Sequence, residues 1–412
     1  MKYFLFAIIF FGLPHAQWIP RKLGIQPDNI PLGTVNILLI IALFLWLTNR
    51  TKGVRLSNPF KSVLIFLLIV LLGVGVAYFL PFDDNFTITL THAKGELSLL
   101  FLYFLPISIV KNKKEFTIFF IICLIVHVLI GLEVVRSGVL SGSSFHDGKR
   151  GSGPFGLGWG WQGADIAASY LAQMLMFFFV YCIAEKQKIW IRGITALGLV
   201  VLISGLFATY GRGAILSALL GATIVLICRR SRFKYLFLTL ILLIFLSSFI
   251  PKSIVQRFSE IESASGELDE STLGRFSYYE DAFTIIKDHP FFGVGTGQVR
   301  AAMKKYYGHY VDPHNGFLYI ACESGILGLI IFLWMLFELL SESLKMYHNE
   351  TLGFMYRNYA LSIFGVIIVL IFCNMFYSNF FKERVLGTLI LHFGMLAFIK
   401  ASIENNTAVG KS

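Results

Sequence analysis

An all-α, polytopic membrane fold is predicted by three features of the sequence. Hydrophobic residues fill 56% of positions and charged ones only 14%, whereas a soluble chain carries about 25% charge. Twelve apolar segments recur along the 412 residues, several of them near the ~20 residues that cross a bilayer as a helix. The polar connections sort into short basic loops and two long loops, the alternation expected of a chain threaded back and forth through a membrane.

The first segment, 3–19, starts as a signal peptide would, with one Lys before an apolar run. Eleven more apolar segments follow it, so it is read as a first span that Pro14 ends or kinks. The others lie at 32–48, 62–80, 96–110, 116–135, 164–183, 190–210, 213–228, 235–250, 315–340, 355–376 and 384–400. Segments 96–110 and 213–228 are short and are expected to extend into polar flanks or to tilt little.

Lys and Arg set the orientation. The loops at 49–61, 111–115, 185–188 and 229–234 are all short and basic, and twelve spans with a cytoplasmic N-terminus put all four on the cytoplasmic side. One span more or fewer would have divided the set. Residues 1–250 then hold nine spans with an outer Gly/Ser-rich loop at 136–163. Residues 251–314 form a large outer loop, 315–400 hold three more spans, and 401–412 are a cytoplasmic tail. The large loop carries nine acidic residues and seven Lys or Arg. Its helix-like runs, broken at His289-Pro290 and Val294–Gly297, predict a mostly helical cap.

Several functions are excluded or unsupported. The net charge of +11 is explained by the cytoplasmic loops and by an anionic lipid-linked substrate, because no basic run interleaves with aromatics as in a nucleic-acid-binding domain. The five cysteines lie in apolar runs without a CxxC, so they read as small buried hydrophobes. His146, His289 and His309 have no metal-ligand spacing, and VGTGQ at 294–298 has neither the Lys nor the βαβ context of a phosphate-binding loop. No metal site and no cofactor is expected.

The residues that can carry chemistry gather on the outer side. Arg212, in TYGRGAIL, sits at the outer mouth between two spans, at the start of a helix whose free N–H groups favour anions. It reads equally as an interfacial anchor and as an anion-binding group. Arg275 lies near the start of a cap helix that Ser271 or Thr272 could cap, and a solvated arginine is the plainer reading. His314 opens the tenth span after Asp312 and Pro313; it is either an interfacial cap or a base toward a hydroxyl. Glu323, nine positions on, is off the face of His314 and reads as readily as a structural partner as a catalytic group. Gly325 and Gly328 suggest close helix packing. His127 is a mid-span hydrogen-bonding group, and Asp165 either caps its helix or shapes a site. Trp159 and Trp161 in the first outer loop, like Lys304, Lys305, Tyr306 and Tyr307, suit either the membrane interface or a sugar surface.

The run His314-Asn315, nine residues, Gly325, two residues, Gly328 resembles the signature of the bacterial O-antigen ligase family, whose superfamily also includes many O-antigen polymerases. LGRFSYYEDAFTIIKDHPFFGVG looks like that family's arginine-bearing loop helix and following turn, and TYGRGAIL like its earlier arginine motif. The likeness covers roughly 190–335, the remainder matching in topology. It implies an inner-membrane glycosyltransferase with its site on the periplasmic face. Arg212 and Arg275 would bind the diphosphate of an undecaprenyl-linked glycan donor, His314 would meet the acceptor hydroxyl, and Asn315, Trp159 and Trp161 would line the substrate. Lipid A-core is the implied acceptor of an inverting, metal-independent ligase. A polymerase extending lipid-linked repeats is the alternative, although neither Arg136 nor Arg150 has the Gly eleven positions on that some polymerases show. A lipid-linked sugar transporter is also open, but the polar residues cluster on one outer face instead of at a midplane between paired halves.

Overall fold

The computed structural model describes residues 1–15, 34–49, 61–82, 86–140, 142, 150–156, 161–185, 187–229, 270–378 and 383–409. Helices dominate, and no strand occurs among the described residues. In chain order they are α1 (Lys2–His15), α2 (Thr34–Asn49), α3 (Lys61–Phe79), α4 (Phe86–Ile109), α5 (Lys113–Leu140), α6 (Trp161–Cys182), α7 (Ile189–Ala208), α8 (Arg212–Ile227), α9 (Glu270–Asp288), α10 (Val299–Tyr307), α11 (Gly316–His348), α12 (Phe354–Asn374) and α13 (Glu383–Val409). Seven helices among the described residues are long and apolar enough to cross a membrane, and three shorter ones are apolar. The chain is an all-α, multi-pass membrane protein.

Each expected span coincides with a helix except 235–250, which lies outside the described residues. Pro14 falls in the last turn of α1, as a residue that cannot extend a helix should. The short segment 96–110 is the second half of α4, which starts at Phe86. Helix α13 runs through Val409, into the stretch read as a tail.

Helix α6 is the most enclosed of the spans and α7 among the least, so α6 is the axis of the bundle and α7 presents Ile194, Leu197 and Val200 outward, as lipid-facing side chains should be. Four buried rings join α5, α6, α12 and α13 at the centre. His127 Nδ1 lies 2.8 Å from the Tyr170 hydroxyl and its Nε2 lies 3.1 Å from His392 Nε2; the Tyr359 hydroxyl is 2.8 Å from His392 Nδ1. The sequence placed His127 as a buried hydrogen-bonding group, and His392 is the partner it required. Opposed Nε2 atoms bond only if one carries the proton, so the two rings take complementary tautomers.

Helices α9 and α10 form in the stretch read as a cap, and the breaks expected between them fall where it meets the bundle. Phe291 and Phe292 stay exposed, while residues 293–298 enter beside α3, α4 and α11. Val294 N–H donates to the Cys322 carbonyl at 2.8 Å, Gly295 N–H to that of Glu323 at 2.9 Å, and Ile326 N–H to that of Pro290 at 2.8 Å. On the other side Thr296 donates from its N–H to the Gly73 carbonyl (3.1 Å) and from its hydroxyl to that of Val70 (3.0 Å). Gln298 Nε2 reaches the Thr89 hydroxyl at 2.7 Å. A non-helical segment at membrane depth must find all its hydrogen bonds inside the protein, and this one takes them from opened or bent helices.

Helix α11 breaks to supply them. Gly325 has φ 68° and ψ −173°, a region only glycine enters readily. The spacing suggested close helix packing at this glycine; the approach is close, but the partner is the loop backbone at Phe291, whose carbonyl oxygen would lie 2.2 Å from a Cβ there. Glu323, just before the break, accepts Gly297 N–H at 2.8 Å and the Tyr319 hydroxyl at 3.3 Å. Of the two roles open to it, these partners supply the structural one.

Candidate functional site

One end of the bundle gathers the starts of α6, α8 and α11 and the ends of α7 and α12. The turn from α7 into α8 is tight: Tyr210 adopts φ 52°, and Arg212 is the first residue of α8, with Gly211 as the cap position. Arg212 is half-buried. Its turn is held from the side by Arg150, whose Nε donates to the Thr209 carbonyl (2.6 Å) and whose terminal amino group pairs with Asp165 (2.7 Å). Gly151 N–H adds a bond to the Ala208 carbonyl at 2.8 Å. The side chain of Arg150 is only 6% exposed, so this is a buried ion pair that fixes a loop, a role in which geometry matters more than net stability.

Immediately after α12, residues 375–377 run beneath the neighbouring elements. A Cβ on Gly213 would lie 2.7 Å from the Phe376 ring, and one on Gly211 would lie 3.2 Å from the Tyr377 hydroxyl. The two glycines thus let the Arg212 turn press directly onto this segment. From the cap, the Tyr279 hydroxyl reaches the Met375 carbonyl at 3.4 Å. Tyr279 stands one helical turn after Arg275 and shares its face of α9, so Arg275 faces the same ground. The Tyr377 phenol agrees with this neighbourhood: burial pushes its pKa up, Asp165 adds to this, and Arg150 and Arg275 oppose it. Tyr377 is accordingly a neutral hydroxyl at any physiological pH, with the guanidiniums of Arg150 and Arg275 within electrostatic reach.

The third contributor is the start of α11. Asn315 is its N-cap, accepting Phe317 N–H at 3.0 Å and Leu318 N–H at 3.1 Å through Oδ1. Its Nδ2 lies 3.5 Å from the Met375 carbonyl. Both contacts to Met375 are long, and their value is positional. His314, next to this cap, has φ 49°, an uncommon backbone state for a residue other than glycine. Asp312 holds it there: Oδ1 accepts His314 N–H at 3.2 Å and lies 3.8 Å from the ring Nδ1, while Oδ2 takes the Arg300 guanidinium at 2.8 Å. Burial works against the Arg300 charge, but the Asp312 carboxylate outweighs it and raises the arginine's pKa, so the Arg300–Asp312 pair is fixed and ionised. The His314 side chain stays 41% exposed, with its ring 6.1 Å from that of Tyr278 on α9.

The three elements that carry Arg212, Arg275 and His314 therefore meet on one short segment, 375–377, through Gly211 and Gly213, Tyr279 and Asn315. The arrangement brings to one end of the bundle two arginines, one imidazole open to solvent, and a neutral phenol within electrostatic reach of Arg275. That set can bind a phosphorylated anion and place a proton acceptor beside it. Among the described residues, no three His, Cys, Asp or Glu side chains form a group that could hold a metal ion.

Residues 197–333 match the family model described as O-antigen ligase. This segment is an O-antigen ligase family domain. It runs from α7 into α11 and contains Arg212, Arg275, His314, Asn315 and the break at Gly325. No curated protein matches the chain.

The ligase-family segment does not hold the whole site. Arg150, Asp165 and Tyr377 lie outside it in sequence and are brought to it by the fold. Asp165, read as a helix cap or a site-shaping residue, pairs with Arg150, which in turn holds the turn before Arg212. Tyr377 carried no signal beyond a tyrosine at the end of an apolar run. Of the aromatic candidates, Trp159 lies outside the described residues and Trp161 opens α6. Lys305 lies over the Phe82 ring, 5.0 Å from its centroid, and the Tyr306 hydroxyl is 3.3 Å from His289 Nε2, both on the exposed face of the cap.

Proposed function

We propose that the protein is a bacterial inner-membrane glycosyltransferase that moves an O-antigen glycan from undecaprenyl diphosphate to a sugar hydroxyl of lipid A-core, on the periplasmic face. The reading is supported by the meeting, on residues 375–377, of the three elements that carry Arg212, Arg275 and His314, all within the segment that matches the ligase family. The acceptor hydroxyl attacks the anomeric carbon and a new C–O bond forms. The bond from that carbon to the diphosphate oxygen breaks, and its electron pair leaves with the diphosphate. The acceptor's proton passes to the His314 imidazole. Arg212 and Arg275 stabilise the charge that builds on the leaving group, where preformed cationic donors in a partly dry site have most effect. Attack opposite the leaving group inverts the anomeric centre.

In this reading Asp312 sets the ring orientation of His314, and Asn315 and Met375 set its distance from the arginines. Misplacing a reacting group by about 1 Å can cost roughly 100-fold in rate, which gives these positional contacts their importance. The test uses purified protein, a lipid-linked glycan donor and lipid A-core, with and without a chelator. Transfer by the wild type in both conditions, with a loss of about 100-fold or more in kcat for Arg275→Ala and for His314→Ala, is expected. Growth of longer lipid-linked chains in place of transfer would make the protein a polymerase, and no new glycosidic bond with any donor and acceptor would favour a transporter.

A further inference from the structure

The opposite end of the same helices holds a second charged cavity. It measures about 420 Å³ and is lined by Glu185, Cys228, Arg229, Tyr347, His348, Glu350 and Arg357. These residues follow the ends of α6 and α8, close α11 and open α12. Where hydrocarbon-spanning helices end is the depth of lipid headgroups, and basic pockets between helices at that depth bind phosphate-bearing headgroups. The volume is that of a small-molecule site and far exceeds a single ion or water.

The lining is ordered by depth. Arg229 is 7% exposed, and Arg357 and Tyr347 are half-buried. Glu185, His348 and Glu350 are exposed at the rim. Arg357 is oriented by its Nε bond to the Tyr347 carbonyl (2.8 Å), and its guanidinium carbon is 5.8 Å from the Tyr347 ring centroid. Arg229, Arg357 and Glu185 all act electrostatically on the Tyr347 hydroxyl, so they face one space. Cations lie deep and carboxylates lie at the mouth.

From this order we infer that the cavity is a site for a zwitterionic phosphoethanolamine headgroup. The phosphate sits on the Arg229 and Arg357 forks, for which guanidinium geometry is suited. The ammonium points outward to Glu350 and Glu185. A headgroup carrying only negative charge would meet the two carboxylates unfavourably. A choline headgroup cannot donate hydrogen bonds to them and would need an aromatic cage, of which Tyr347 is one wall only. This inference does not depend on the proposed transfer reaction, since none of its residues belongs to the candidate site.

Native mass spectrometry of the full-length purified protein tests it, with dioleoyl phosphatidylethanolamine, phosphatidylglycerol and phosphatidylcholine as probes. The wild type is expected to retain phosphatidylethanolamine over the other two. Arg357→Gln should weaken that retention about tenfold, the loss of one charge-assisted hydrogen bond to phosphate. Glu350→Gln, at an exposed position that cannot unfold the bundle, should weaken phosphatidylethanolamine by roughly twofold to fivefold and leave phosphatidylglycerol unchanged or stronger. Competition by soluble phosphoethanolamine, lost in the same variants, would support the headgroup chemistry and assign the site to the free compound instead of the lipid. Equal retention of all three lipids, a preference for phosphatidylglycerol, or a preference unchanged in both variants would overturn the inference.

Discussion

Replacing Gly325 by Ala should destabilise the protein more than any ordinary glycine substitution in a helix. The position has φ 68° and ψ −173°, and holding a non-glycine residue there costs about 1–3 kcal/mol. The added Cβ would meet the Phe291 carbonyl oxygen at 2.2 Å, its carbon at 2.3 Å and the Phe292 nitrogen at 2.6 Å. All three are backbone atoms and cannot swing aside, so overpacking adds about 1–3 kcal/mol. The chain's alternative is to release the 290–298 segment. That forfeits the bonds from Val294, Gly295, Thr296 and Gly297 and the one from Ile326, each worth about 1 kcal/mol, and leaves buried carbonyls without donors. Both routes are costly, and the net loss is expected at about 3–5 kcal/mol. Gly193→Ala is the matched control: nothing lies within 4 Å of its would-be Cβ, and Ala there should be neutral or stabilising by up to about 1 kcal/mol. Thermal unfolding of both variants in detergent measures the difference. A Gly325→Ala protein that melts with the wild type would refute the buried-segment argument.

Four further outcomes follow from the same geometry. Glu323→Gln keeps an acceptor for Gly297 N–H and should retain folding and most activity, whereas Glu323→Ala should lower the melting temperature; a collapse of kcat in a well-folded Glu323→Gln protein would show that the carboxylate takes part in chemistry. Asn315→Ala should cost about 0.5–2 kcal/mol as a lost N-cap and slow transfer through the looser start of α11, read as a melting shift together with a fall in kcat. Asp312→Asn should fold, because Arg300 can still donate to the amide oxygen, and should lower kcat because the carboxylate that holds the His314 backbone and faces its ring is lost; an unchanged kcat would separate Asp312 from His314. Tyr377→Phe should leave the pH–rate profile between pH 6 and pH 9 unchanged in shape, since burial raises the phenol's pKa and keeps it protonated there; a lost basic limb in the variant would mean that Tyr377 ionises.

The membrane helices were legible because their signals are long and redundant. Each span sums many apolar residues, so an error at one position changes little. The helix-end positions of Arg212 and His314 were legible because each is a polar group bordering a long apolar run. The tertiary partners were not. Arg150 finds Thr209 and Asp165 only after two helices have packed, and Tyr377 is defined by neighbours from four elements. The burial of residues 293–298 was hidden for a related reason: a Gly-rich stretch reads only as a break between helices, and its burial is decided by backbone hydrogen bonds to distant carbonyls that no local pattern encodes.

The spacing from His314 to Gly325 has a mechanical explanation in these contacts. The nine residues between Asn315 and Gly325 form a helical stretch fixed at both ends. At one end Asn315 closes the helix and rests on Met375. At the other, the break at Gly325 receives the 290–298 segment, which is itself bonded to α3. Insertion of one residue would rotate the far end by about 100° and advance it by about 1.5 Å, so that either the cap or the break would lose its partners. Gly325 is therefore needed by His314 without touching it. The buried segment sets where the stretch ends, the stretch sets where Asn315 begins, and the cap sets where the imidazole stands relative to two arginines on other helices. The requirement extends to Gly73, whose carbonyl accepts Thr296 N–H and where a Cβ would lie 2.5 Å from the Thr296 hydroxyl oxygen. Gly73→Val should thus reduce transfer from a position on α3 that lies in neither the ligase-family segment nor the site.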